Sequence, residues 1–197
     1  MIEHTFSAYS HELNRLLSLI EVTAGSGESM SLEEGLKHAT STILSKKSEG
    51  RKIIVIGNGG SAAIASHMQN DLCKAVGVRS IVFNEAPLLS ALSNDLSYAA
   101  AFEVLVDLWA EDGDTLIAIS SSGQSENIIR AVDAARNKDC SVITLSGFKR
   151  NNPLRRKGAI NFYFPSDRYG FVELGHSILT HYLSDAANDR IHASVSK

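Results

Sequence analysis

The sequence has little of what would place it in several large protein classes. Its 197 residues include two cysteines, Cys73 and Cys140, without the paired spacing of a metal knuckle. Both are expected as reduced thiols, one in a helix and one in a strand. There is no excess of positive charge. With 19 Lys and Arg against 22 Asp and Glu, the formal charge is −3, and a pI near 6.2 argues against general nucleic-acid binding. No apolar stretch approaches the ~18–20 residues of a membrane span. The opening MIEHTFSAYSHEL carries acids and no apolar signal-peptide core, so a cytoplasmic location without membrane association is expected. What is present, 44% hydrophobic and 21% charged residues, suits one globular α/β domain over 1–197 that buries its own core.

Hydrophobic periodicity divides the chain at about residue 50. Phe6, Leu13, Leu16, Leu17 and Ile20 recur at helical spacing over 3–23, and Leu32, Leu36, Ala39 and Ile43 over 31–47. This predicts two N-terminal helices (1–50) ahead of an α/β core (51–197). Gly25, Ser26 and Gly27 separate the helices, and Ser31 with Glu34 forms a capping box for the second. The core then alternates: strand 52–56, helix 61–76, strand 79–83, helices 87–93 and 98–110, strand 115–119, helix 125–137, strands 140–145 and 160–164, helix 170–187. Such alternation predicts a doubly wound parallel sheet flanked by helices, with its ligand site at the strands' C-terminal ends.

Two strand-loop-helix units point to that ligand. KIIVI runs into GNGGS at 52–61, and TLIAI into SSSGQS at 115–125. Each aims backbone N–H groups and hydroxyls at one spot above the sheet. Gly57, Gly59, Gly60 and Gly123 permit close backbone approach, while Ser61, Ser120, Ser121, Ser122 and Ser125 donate to an anion without adding charge. Four serines in SSSGQS exceed what a turn needs, even with Ser125 as the cap of the next helix. GNGGSAAIA is not GxGxxG, and no Walker lysine follows at GKS/T spacing, so a phosphorylated sugar is favoured over a nucleotide. Ionisable groups come from two helices. His67 and Asp71 are four residues apart on one face of the first, and Glu173 and His181 share a face of the last, with His176 one turn from Glu173.

GNGGS, ISSSGQS, the Ser93-Asn94-Asp95 segment and a C-terminal helix with an acid and histidines together resemble the SIS (sugar isomerase) domain. Within it they are most similar to the phosphoheptose isomerases, over nearly the whole chain. The resemblance implies interconversion of sedoheptulose 7-phosphate and D-glycero-D-manno-heptose 7-phosphate through an enediol. It also implies phosphate held by the serine loop, a divalent metal such as zinc, and a homotetramer with sites between subunits. At the matching positions the family has His, Glu, Gln and His acting as metal ligands and catalytic acid and base. Here these are His67, Asp71, Glu173 and His181, a set suited to zinc and equally to other first-row divalent ions. By that match Asp71 is the base and His181 the acid. Asp71 for Glu shortens the carboxylate's reach, which makes Glu173, standing for Gln, a rival base. Asn58 and Gly59 are expected at sugar hydroxyls, as are Asn94 and Asp95, which match the family's ND pair. Two alternatives stay open: an isomerase of another phosphosugar, and a non-catalytic SIS module that binds a phosphosugar or a protein partner. Arg168, in PSDRYGF, has no assigned role, and the basic run Lys149, Arg150, Arg155, Arg156, Lys157 is expected as a solvated loop.

Overall fold

The computed structural model describes residues 5–195. Positions 3 and 4, where the first expected helix begins, lie outside the described residues. Helix α1 covers Phe6–Leu17, and the Thr5 hydroxyl caps it by accepting from the Ala8 N–H at 3.2 Å. The chain then departs from the expected helix over 3–23. Glu21–Ala24 is strand β1 and Ser29–Met30 is strand β2, an antiparallel hairpin closed through the glycine-serine break. β-Branched Val22 and Thr23 suit this strand, and Gly35 leaves room for Val22 against the next helix. Helix α2, Leu32–Ser48, starts with the expected capping box: the Glu34 N–H donates to Ser31 Oγ, and Glu34 Oε2 accepts from the Ser31 N–H at 2.9 Å.

The core follows as β3 (Lys52–Gly57), α3 (Gly60–Asp71) with a π-turn at Leu72–Val76, β4 (Arg79–Val82), α4 (Ala86–Asp95) and α5 (Tyr98–Trp109). It continues as β5 (Thr115–Ser120), α6 (Glu126–Asn137), β6 (Ser141–Ser146), a 3₁₀ turn at Pro153–Arg156, β7 (Ile160–Tyr163) and α7 (Tyr169–Val195). The sheet order is β2-β1-β7-β6-β5-β3-β4. Strands β7 through β4 are parallel neighbours, as expected, but β1 pairs antiparallel with β7 and makes the sheet mixed.

Alternation along the strands distributes the core. Ile53 and Val55 of β3, with Ile117 and Ile119 of β5, face α2, α3 and α7 through Ile43, Met68 and Leu183. Ile54, Ile56, Leu116 and Ala118 face α5 and α6 through Phe102, Leu105, Ile128 and Val132. Burying each of the larger side chains is worth ~1.5–3 kcal/mol, so both faces of the sheet are strongly committed to their helices. The consequence for function is geometric. Adjacent parallel strands β3 and β5 end together, at Gly57 and Ser120, and deliver both hydroxyl loops to one edge.

Of the cysteines, Cys73 is exposed in the π-turn, and Cys140 is buried just before β6, where burial raises its thiol pKa to about 11. The basic run is only partly solvated. Arg155 bonds Glu21 at 2.6 Å and stacks over Tyr163, Arg150 pairs with the same Glu21, and Lys157 pairs with Asp133 at 2.6 Å. Arg168 lies over the Phe171 ring at 4.8 Å.

Candidate active site

A cavity of about 240 Å³ opens where β3 and β5 end. It is lined by Asn58, Gly59, Gly60 and Ser61 from the first loop, Ser120, Ser121, Ser122 and Ser125 from the second, and Tyr169 and Glu173 from α7. The local reasons lie in the two turns. Gly59 occupies the N-cap position of α3 at φ +53, a backbone conformation that L side chains rarely adopt, so Ser61 falls inside the first turn rather than at the cap. Ser125 occupies the N-cap position of α6 but makes no capping bond, contrary to expectation. Its Oγ lies 3.3 Å from Ser120 Oγ instead. The Ile128 N–H at the start of α6 donates instead to Asn127 Oδ1 at 3.0 Å and to the Ser125 carbonyl at 3.1 Å, which leaves the Ser125 hydroxyl out of the helix cap. Ser121 Oγ is buried and has no hydrogen-bond partner among the described residues. Neutral donors thus converge from two helix N-termini, an arrangement that suits an anion.

Asn58 does more than line the cavity. Its amide exchanges two 2.9 Å hydrogen bonds with the amide of Asn127, and its Oδ1 also accepts from the Tyr98 hydroxyl at 2.6 Å. The two loops are thereby cross-tied. Asn127, Tyr98 and Tyr169 were not among the residues expected at the site. The only local signal for Tyr169 was its place in the unassigned PSDRYGF segment.

The ionisable residues divide into two places. His67 Nε2 and His181 Nδ1 each lie 3.5 Å from Asp71 Oδ2, and the two imidazoles meet edge to face at 4.5 Å. Ligand atoms of these three residues fall within 4.8 Å of one another. Two imidazoles and one carboxylate make a donor set that fits a first-row divalent ion with an open position. Glu173, expected as the fourth member, is not in this group. Its carboxylate packs against Gly60 at the start of α3, close enough that an added Cβ there would lie 2.6 Å from Cδ. Eight residues of helix rise ~12 Å, so sharing a face with His181 does not bring Glu173 to the same point. Asn94 and Asp95 end α4 exposed, hydrogen-bonded to each other at 2.9 Å, and do not line the cavity.

This fold and this pair of loops define a SIS-domain protein, and residues 9–147 match the SIS domain family. The chain is 30% identical to the phosphoheptose isomerase of Methylibium petroleiphilum, over 80% of this chain and 82% of that protein. It is 31% identical to the phosphoheptose isomerase of Helicobacter hepaticus, over 94% and 90%. Its structure is similar to that of phosphoheptose isomerase GmhA from Neisseria gonorrhoeae, with a TM-score of 0.79 at 27% identity, over 93% of this chain and 96% of that one. The chain belongs to the phosphoheptose isomerase family and is an isomerase.

Proposed function

We propose that this isomerase interconverts sedoheptulose 7-phosphate and D-glycero-D-manno-heptose 7-phosphate through an enediol. The observation that carries the reading is the convergence of both hydroxyl loops and the Glu173 carboxylate on one cavity. The hydroxyls of Ser61, Ser120, Ser121, Ser122 and Ser125, gathered at the N-termini of α3 and α6, would bind the phosphate dianion. Asn58, Gly59 and Gly60 would border the sugar. From Gly60 to His67 the helix rises ~10 Å, which favours a substrate whose reacting carbons lie far from its phosphate. Asp71 is assigned as the base that moves the proton between C2 and C1, and His181 as the acid at the neighbouring oxygen. A second reading makes Glu173 the base, favoured by its place in the cavity. His67, Asp71 and His181 would hold a divalent ion, zinc among those that suit, which when bound supplies charge stabilisation at the substrate oxygens.

The chain would act as a cytoplasmic homotetramer with sites at subunit boundaries. In support, Leu174, Ile178 and Tyr182 form an exposed apolar stripe on α7 beside His181. Asn94 and Asp95, which lie outside their own chain's cavity, would reach a substrate only across such a boundary. Following aldose-ketose conversion over a panel of phosphosugars tests the substrate. Asp71→Asn should lower turnover by ~10²–10⁴, with Glu173→Gln far milder. The reverse ranking exchanges the two roles. No conversion of any phosphosugar by the parent chain points to the non-catalytic module.

A further inference from the structure

The serine wall of the cavity is held from behind by a residue that none of these steps uses. Asn152, in the loop after β6, is 1% exposed. Its Nδ2 donates to Ser146 Oγ at 3.2 Å, to the Gly147 carbonyl at 3.2 Å and to the Lys149 carbonyl at 2.9 Å, and its Oδ1 accepts from the Arg155 N–H at 3.0 Å. That same Oδ1 packs against Gly123, where an added Cβ would overlap it. Two residues further on, the Leu154 N–H donates to the Gly123 carbonyl at 3.1 Å.

Gly123, at φ +62, closes the turn that presents Ser120, Ser121 and Ser122. Its N–H donates to the Ser120 carbonyl at 3.0 Å and lies 3.2 Å from Ser120 Oγ. A cradle built of neutral hydroxyls and N–H groups has no formal charge to hold an anion at a distance. Its affinity depends on donor placement, because hydrogen bonds weaken steeply off-axis and preorganised donors need no rearrangement on binding. A saturated, buried amide behind the turn supplies that rigidity, and Glu21 anchors the Asn152 loop in turn through Arg155.

We infer that Asn152 is a positioning residue for the anion cradle: it fixes Gly123, and through it the serine hydroxyls, without touching the ligand. The inference rests on the phosphosugar reading of the cavity. The test compares Asn152→Ala, Asn152→Asp and Ser122→Ala by the Kd of inorganic phosphate from calorimetry and by KM and kcat on sedoheptulose 7-phosphate. Asn152→Asp keeps the size and Oδ1 but turns an acceptor toward two carbonyls. Both Asn152 variants should raise the phosphate Kd and KM about tenfold while kcat stays within about threefold. Asn152→Ala combined with Ser122→Ala should weaken binding by less than the product of the two single effects, because both act on one cradle. If Ser122→Ala weakens phosphate and the folded Asn152 variants do not, or if they lower kcat at unchanged KM, the positioning role is overturned alone. If Ser122→Ala also leaves phosphate binding unchanged, the cradle reading falls with it. Should Asn152→Ala fail to fold, Gly123→Ala intrudes on the same contact from the cradle side and carries the same expectation, and unchanged phosphate affinity there overturns the inference equally.

Discussion

Burial of His176 should make this protein sensitive to acid. The imidazole is completely buried one turn beyond Glu173, with Nε2 3.2 Å from the Ser146 carbonyl and Nδ1 without a hydrogen-bond partner among the described residues. A proton arriving at Nδ1 would create an uncompensated buried charge. Desolvation accordingly lowers the pKa from 6.5 to about 4, against a smaller raising effect of the Ser146 carbonyl. The unfolded chain takes up this proton below pH 6.5, whereas the folded chain resists it until about pH 4. Stability from this group is therefore fully present above pH 6.5 and is lost as pH falls toward 4. At ~1.4 kcal/mol per pH unit the loss sums to roughly 3 kcal/mol, a large fraction of a typical 5–15 kcal/mol stability. Urea unfolding across that pH range, for the parent and for His176→Gln, isolates the effect. Glutamine places an amide nitrogen near the position of Nε2 and can keep the bond to Ser146, yet it does not titrate. The variant's stability should fall less steeply with pH than the parent's, by about one proton's worth of slope between pH 6.5 and 4. Parallel curves would refute the argument, whatever the variant's stability at neutral pH.

Other outcomes follow from the site. Protein purified without chelator should carry close to one divalent ion per chain by elemental analysis, and His67→Ala or His181→Ala should lose it, since two remaining donors do not make a site. Metal retained in both variants would place the ion elsewhere. Gly60→Ala should leave Tm unchanged or raise it slightly, because alanine is favoured over glycine in a helix by ~0.5–1 kcal/mol and the obstructing Glu173 side chain can swing aside. The methyl should meanwhile raise KM for the phosphosugar. A Tm drop of several degrees would mean that the backbone, not Glu173, meets the new Cβ.

The sequence by itself determined the parts whose cause is local. Short apolar runs marked β3 through β7, and Ser31 with Glu34 started α2 where the capping box is found. GNGGS and SSSGQS are legible because glycine and serine after a strand have few other uses, and parallel pairing then obliges both loops to meet. The tertiary structure alone decided what depends on distant partners. Residues 21–23 fall within the helix expected over 3–23, yet Glu21–Ala24 is a strand because β7 offers hydrogen bonds from Ile160–Tyr163. Glu173 and His181 look like one group on a helical wheel, and the rise of the helix separates them. Ser125 reads as a cap, but in the folded chain its hydroxyl stands beside Ser120. Asn152, in a basic run expected to be solvated, is buried because Ser146, Gly147 and Lys149 satisfy its amide and Gly123 leaves space for it. Local periodicity carries no information about such pairings, since their energy comes from groups brought together only when the sheet closes.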